Sequence, residues 1–488
     1  MKKIARIIYV AAFFAVCSAP LAMMPFSKAA DLENSAETVS FPKLVDDGHV
    51  NTDFSEQLDN YFNKKLPARS QLLTLADSIT GGIFGAKTAN VITGKDGWLF
   101  FGATEDNYID RNAMTEEELR SLVVTLSLIQ ENVVSKGGSF VFVPMPNKNE
   151  IYPEQMPSRY IKADENDLSR LTERLRNSDV NFVDMKQVLL DNKDLGIYHR
   201  LDSHWNYLGA YIGYDAIMTG LGREHKSYQD ANYTASYTWR GDIYDMIYPE
   251  GTEKDKQYSF DIEFEPFRFA VPKVQDSEEQ LKIFMSNDAE KNHDERFAVQ
   301  KLQPTTGRRL YMVRDSFGRA LLPFMIDNYD SAIFARTKIP ELSSVPQGGD
   351  MVYEVVERNL RNIISAPPAM SAPEREIGEG TPCSSMRNKA VLLETPTGTR
   401  ISGTVDPDMV GEDGRIYVTL SGQGGTKTFE AFPVFDEECG LESSGRLGFS
   451  MRLADGALPA GEYSVSLSSG GLTQTGVTTV TVGDNQYQ

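Results

Sequence analysis

The sequence predicts an α/β domain built on a parallel sheet, followed by a C-terminal β-sandwich. Three observations predict it. Strand-like and helix-like runs alternate from 139 to 364, the pattern of a sheet with helices on its faces. A stretch rich in Pro, Ala and Ser, then in Gly and Glu, occupies 366–380 and reads as a linker. Beyond it the runs become short and alternating, with Ile416, Val418 and Leu420 interleaved with Tyr417 and Thr419, and Tyr463, Val465 and Leu467 interleaved with serines. The expected organisation is residues 1–30 as a signal peptide, 31–365 as the sheet domain, 366–380 as the linker and 381–488 as the sandwich.

Taken in order, Phe54, Leu58, Tyr61 and Phe62 recur at helical spacing, and 92–101 reads as a hairpin around Gly94, Asp96 and Gly97. A helix is expected over 115–136, because Thr115 and Glu118 form a capping box and Leu119, Leu122, Val123, Leu126, Ile129 and Val133 trace one stripe. Strand 139–143, helix 168–176, strand 181–185 and helix 208–218 follow. Residues 251–305 are polar and are expected to form an insertion or extended hairpins. Strand 311–313, helix 321–326, strand 332–335 and a closing helix over 353–364 complete the domain.

A chain of 488 residues exceeds one ordinary core, and 41% hydrophobic residues suit a folded protein. The formal charge of −20 argues against sequence-independent nucleic-acid binding, which needs a basic footprint. Lys2, Lys3 and Arg6, then the apolar run 7–22 and the small residues near Ala29 and Ala30, read as a signal peptide, with an uncleaved anchor as the alternative. Its removal would take the charge to about −24. Export would leave Cys383 and Cys439, which in an oxidising compartment most simply pair; two free thiols are the alternative.

The chemistry-bearing residues are Asp202 and His204 in Asp-Ser-His-Trp, and Ser316 in Arg-Asp-Ser-Phe-Gly. Ser316 falls between a strand end and a helix start, where backbone N–H groups can hold an oxyanion. On an extended segment, residues two apart point the same way, so Asp202 could orient His204 and His204 could take the serine proton. A turn held by an Asx-type bond is the bland reading of the pair. Asn147 and Gly241 are candidate oxyanion donors from their loop positions. Arg240, Arg314, Arg319, Arg336 and Lys338, near the motif loops in sequence, are candidates for binding an anionic polymer, against solvated charges or internal ion pairs as the alternative. No His or Cys grouping with zinc spacing accompanies the five histidines, so no metal or cofactor is expected.

These three stretches, 202–205, 314–318 and 144–154 (Pro-Met-Pro-Asn-Lys-Asn-Glu-Ile-Tyr-Pro-Glu), resemble the motifs of alginate O-acetyltransferases, periplasmic relatives of the SGNH hydrolases. The resemblance spans about 90–365, and the C-terminal part is similar in placement to the carbohydrate-binding module of the two-domain member. It implies an SGNH hydrolase-like fold, with Ser316 as nucleophile, His204 as base and Asp202 as its partner. It further implies acetyl transfer to mannuronate hydroxyls of alginate, with acetyl supplied by a membrane acyltransferase within a secretion complex. Ordinary SGNH hydrolases carry the serine first and the Asp–His pair last, three apart; here the pair comes first and is two apart. A carbohydrate esterase using the same triad and a non-catalytic polymer-binding scaffold are the alternative functions.

Overall fold

A computed structural model of the chain describes residues 90–225, 232–261, 265–271, 296–384, 386–395, 398–435 and 447–483, with a few positions between 43 and 88. It divides into two compact units, Met1–Thr93 with Tyr244–Thr252, and Gly94–Ile243 with Glu253–Gln488. In the first, Val45–Asp46 pairs with His49–Val50, and Phe54 and Leu58 are helical. The signal-peptide residues, Tyr61 and Phe62 lie outside the described residues. No helix among the described residues is long and apolar enough to cross a membrane.

The second unit holds the sheet. Helix α1 (Glu116–Ser135) starts at the expected capping box, where Glu118 N donates to Thr115 Oγ1 (3.2 Å) and Thr115 N donates to Glu118 Oε2 (2.8 Å). Strand β1 (Phe140–Met145), α2 (Asp167–Arg176), α3 (Met185–Asp191) and α4 (Tyr207–Gly220) follow. The strand expected at 181–185 shrinks to a single bridge, Phe142 to Phe182, because the Asp184 carboxylate accepts from Gln187 N and starts α3. Strand β2 (Tyr233–Trp239) precedes the polar stretch and pairs with its first strand, β3 (Asp255–Phe260); the stretch then supplies β4 (Phe267–Val271) and β5 (Arg296–Lys301). Next come β6 (Arg309–Val313), α5 (Leu322–Asn328), β7 (Ser331–Ala335) and β8 (Asp350–Val356).

The sheet order is β1-β8-β6-β7-β5-β4; the first four strands are parallel, β5 runs antiparallel to β7, and β4 runs antiparallel to β5. Alternate residues of each parallel strand serve opposite faces. Val141, Val143, Leu310, Met312, Val352 and Val356 join the core under α3, α4 and α5, while Phe140, Phe142, Tyr311, Val313, Met351 and Tyr353 join the core under α1 and α2. This corrects the expected helix over 353–364. A strand buried on both faces loses its period-2 signal, and Met351–Val356 is buried throughout, Glu354 included; only Glu357–Ile364 is helical, as a 3₁₀ segment.

The C-terminal region is a β-rich body of β9 (Lys389–Thr395), β10 (Gly398–Thr404), β11 (Ile416–Gly422), β12 (Gly425–Val434), β13 (Gly448–Arg452), β14 (Gly461–Ser469) and β15 (Leu472–Val482). Strand β12 pairs with β11 up to Ala431 and with β13 from Phe432 on, so one strand serves both halves over a shared core. Phe432 and Val434 also enter the core beneath α1. Residues 369–375, within the expected linker, pack as a strap. Ala369 pairs with the Pro340 and Leu342 backbone, and 372–375 bond to Arg452, Thr428 and Glu430, because sheet edges there take its backbone donors and acceptors.

Candidate functional site

The carboxyl ends of β1, β6 and β8 lie side by side and lead into Asn147, Ser316 and Glu357–Arg358, the place where open parallel sheets present ligand-binding loops. Ser316 caps a 3₁₀ turn, Phe317–Leu321, directly after β6. The Asp315 carboxylate fixes that turn by accepting from Phe317 N (2.8 Å) and from Val356 N at the end of β8 (2.7 Å). Gly318 is needed for the same close approach: a Cβ there would lie 2.7 Å from Arg314 Cβ and 2.9 Å from Glu354 Oε2.

His204 comes from the bend before α4. Its Nε2 lies 2.8 Å from Ser316 Oγ, and its Nδ1 lies 2.7 Å from Asp202 Oδ1. The segment is a tight bend rather than the expected extended run. Asp202 Oδ1 also accepts from the His204 backbone N (2.9 Å), so the Asx-type bond and the imidazole bond coexist. Asp202 Oδ2 accepts from Trp239 Nε1 (2.8 Å) and Asp242 N (3.1 Å). The Phe317 ring stands 4.8 Å from the imidazole, and its carbonyl accepts from Trp205 Nε1 at 3.1 Å, which locks the serine turn to the histidine bend.

Burial by itself would raise the Asp202 carboxyl, but the His204 hydrogen bond and charge outweigh it and hold the group far below its ordinary range. Burial likewise opposes protonation of His204, and Asp202 outweighs it, so the imidazole is more basic than usual. A second carboxylate, Asp242, accepts from Ser203 Oγ (2.6 Å), which in turn lies 3.1 Å from His204 Nδ1. Burial and the Asp202 charge push Asp242 up to about 6. Asp202, His204 and Asp242 bring ligand-type atoms within 4.8 Å of one another, the atoms being engaged in these hydrogen bonds.

Asn147 is buried at the end of β1. Its Nδ2 donates to Asn107 Oδ1 (3.3 Å), its Oδ1 accepts from Arg358 Nη1 (3.1 Å), and its backbone N donates to Glu357 Oε2 (3.1 Å). Gly241 backs onto Leu201, where a Cβ would meet the Leu201 carbonyl oxygen at 2.2 Å, and this contact lets the Asp242 N–H reach Asp202. Arg314 is 2% exposed and donates to the Asp315 carbonyl, so its guanidinium serves the interior of the domain rather than a polymer. Arg240, Arg319 and Arg336 each engage other groups of the chain, and Lys338 is exposed on the loop after β7. Cys383 has no disulfide partner among the described residues, and Cys439 lies outside them.

Sequence reasoning missed Trp239, Asp242, Ser203, Lys148 and Arg358. Lys148 Nζ donates to the carbonyls of Leu99, Arg200 and Asp202 at 2.7, 3.0 and 2.8 Å, and burial lowers it to about 7. Its place beside Asn147 in the 144–154 motif was the available signal. Nothing local marks Trp239 or Asp242 as partners of a carboxylate nearly forty residues away.

Residues 91–245 match the family described as an SGNH hydrolase-like domain, acetyltransferase AlgX. The chain is similar to a probable alginate O-acetylase AlgJ of Pseudomonas aeruginosa, 24% identical over 186 residues, which is 38% of this chain and 45% of the relative. It thus spans less than half the length of that curated protein. Bacillus cereus PatB1 is 17% identical with a TM-score of 0.44, covering 55% of this chain and 96% of its own. The O-acetyltransferase domain of Pseudomonas putida AlgJ is 15% identical with a TM-score of 0.36, covering 56% and 92%.

Proposed function

We propose that this chain, which belongs to the alginate O-acetyltransferase family through its residues 91–245, moves acetyl groups onto a polysaccharide through a covalent intermediate on Ser316. The observation that carries the reading is the continuous line from Ser316 Oγ through His204 to Asp202, at 2.8 and 2.7 Å. Ser316 Oγ would attack the carbonyl of an acetyl ester as His204 Nε2 takes its proton. The donor's oxygen would leave with that proton, giving acetyl-Ser316. An acceptor hydroxyl would then lose its proton to His204, attack the acetyl carbonyl and release the serine, which regains the proton. Asp202 would stabilise the imidazolium in both steps. The oxyanion would be met by the Ser316 N–H and by Asn147, whose Nδ2 carries a second hydrogen beyond the one given to Asn107.

The finer reading follows the resemblance. The acceptor is a mannuronate hydroxyl of alginate in the periplasm, reached after export and signal cleavage, and acetyl comes from a membrane acyltransferase partner in a secretion complex. The C-terminal β-rich region, 381–488, acts as a carbohydrate-binding module, with Cys383 and Cys439 joined by a disulfide. Arg319, Arg336 and Lys338 stay as candidate polymer contacts.

The test supplies purified protein with a small activated acetyl ester and deacetylated mannuronate oligomer. Wild type should acetylate the oligomer, and Ser316→Ala should lose at least about a thousandfold in rate. Undiminished acetylation by Ser316→Ala would remove the acyl-enzyme. Ester hydrolysis without oligomer acetylation would leave an esterase in its place.

A further inference from the structure

Arg358 is the second residue of the 3₁₀ segment after β8 and lies beside Phe317 of the serine turn. Its guanidinium carbon lies 5.8 Å from the centre of the Phe317 ring and 5.4 Å from that of Phe101, a sandwich that holds the planar group in place. Its charge is felt at His204, where it opposes protonation. One Nη1–H is spent on Asn147 Oδ1 at 3.1 Å. The neighbouring acids are committed elsewhere: Glu357 accepts from Asn147 N and Asn166 Nδ2, and Glu354 accepts from Asp315 N. Among the described residues its contacts are Asn147 and the two rings, with no carboxylate, and it is half-buried rather than covered. It is therefore a fixed, half-buried cation with donors to spare, beside the nucleophile, in a chain whose formal charge is −20.

We infer that Arg358 is the residue that recognises the carboxylate of an acidic sugar whose hydroxyl is presented to acetyl-Ser316. The inference rests on the acyl-transfer reading for its purpose, but the binding it claims does not. A guanidinium clamped between two rings offers a carboxylate paired donors in one plane and loses little freedom on binding. It would also explain how an acidic chain holds an acidic polymer: one oriented cation at the point of reaction, where low local dielectric strengthens it. The tie to Asn147 would couple arrival of the acceptor to the group offered as oxyanion donor.

The experiment is equilibrium binding of deacetylated mannuronate oligomer, and of the same oligomer with its carboxyls reduced, to Ser316→Ala protein with and without Arg358→Gln. The expected result is anionic oligomer bound more tightly than neutral. Arg358→Gln should weaken the anionic complex about thirtyfold and abolish the preference. Arg358→Lys, which keeps the charge without the planar fork, should fall between them, and a melting curve would check that each variant folds. Equal binding of the two oligomers by the Ser316→Ala protein, or anionic binding unmoved by Arg358→Gln, overturns the inference. So does a loss in acyl-enzyme formation from a small neutral ester, measured for Arg358→Gln with Ser316 intact, as large as the loss in oligomer binding, which would make Arg358 a support for Asn147. If wild type binds oligomer through Arg358 yet acetylates nothing, the inference stands and the transferase reading falls.

Discussion

Around Ser316 the buried ionisable groups lean on one another without full compensation, whereas in the C-terminal region the buried Glu430 is gripped from both sides by guanidinium groups. At the site, Asp242 is pushed up to about 6, Lys148 down to about 7 and Glu357 up to about 8, burial being the first cause in each case. Glu430, fully buried, receives Arg375 Nε at 2.7 Å and Arg415 Nη1 at 2.5 Å. Arg375 then reaches across to Glu131 on α1 at 2.7 and 2.5 Å. That cluster staples the β-rich region to the sheet domain beside the apolar contact of Phe432 and Val434. Both regions bear the desolvation of charge. At the site the shifts bring Asp242, Lys148 and Glu357 toward neutral pH, which is what acid–base chemistry requires.

The largest effect should come from removing the Asp202 charge. Asp202→Asn keeps the shape and removes the charge that holds His204 basic. Acyl-enzyme formation should fall about 10³–10⁴-fold. The sign of the pH effect is fixed by the shift. In wild type the neutral, working imidazole accumulates as pH rises through a value above the ordinary 6.5. Without Asp202 that midpoint should move down. Single-turnover rates from a small acetyl ester across a range of pH check both parts, and a midpoint that stays in place would show that Asp202 does not set the basicity of His204.

A smaller, purely structural loss should follow at the junction. Glu430→Gln leaves two guanidinium groups facing a neutral amide inside the protein, at a cost of about 3 kcal/mol. Urea unfolding measures it, and turnover of the small ester should stay near wild type because Glu430 lies outside the triad. A variant as stable as wild type would mean that the apolar contact of Phe432 and Val434 holds the junction without the charges.

The two regions also differed in how far they could be read from sequence. The alternation of β11 and β14 was plain because each strand has one buried face and one polar face. In the sheet domain the caps and stripe of α1 were legible for the same reason, while β8 was read as helix because both its faces are buried. The residues Ser316, His204 and Asp202 stood out as local motifs. Their supports did not, since Trp239 is brought to them by the end of β2, and Asp242, Lys148 and Arg358 by the bends after β2, β1 and β8. Chain neighbours record a turn; they do not record which carbonyls a buried lysine will meet.

The smallest effect separates the two kinds of buried carboxyl most sharply. Glu357, held up to about 8 by burial and the Glu150 charge, should carry a proton in the folded protein at pH where the unfolded chain has lost it. Its contribution to stability is then fully present below its ordinary 4.5 and is lost as pH rises through about 8. Glu357→Gln stays neutral in both states and abolishes that slope. Its amide can accept from only one of Asn147 N and Asn166 Nδ2 without turning a donor against the other, a loss of about 1 kcal/mol at acidic pH that should shrink toward neutrality. Glu430→Gln should show no such convergence, since its deficit comes from two guanidinium groups that lose their shared buried partner and stay charged throughout. Melting curves of the two variants and wild type at an acidic and a near-neutral pH decide it. Parallel curves for Glu357→Gln would mean that Glu357 is ionised in the fold, and the contrast between the site and the junction would then lie in geometry alone.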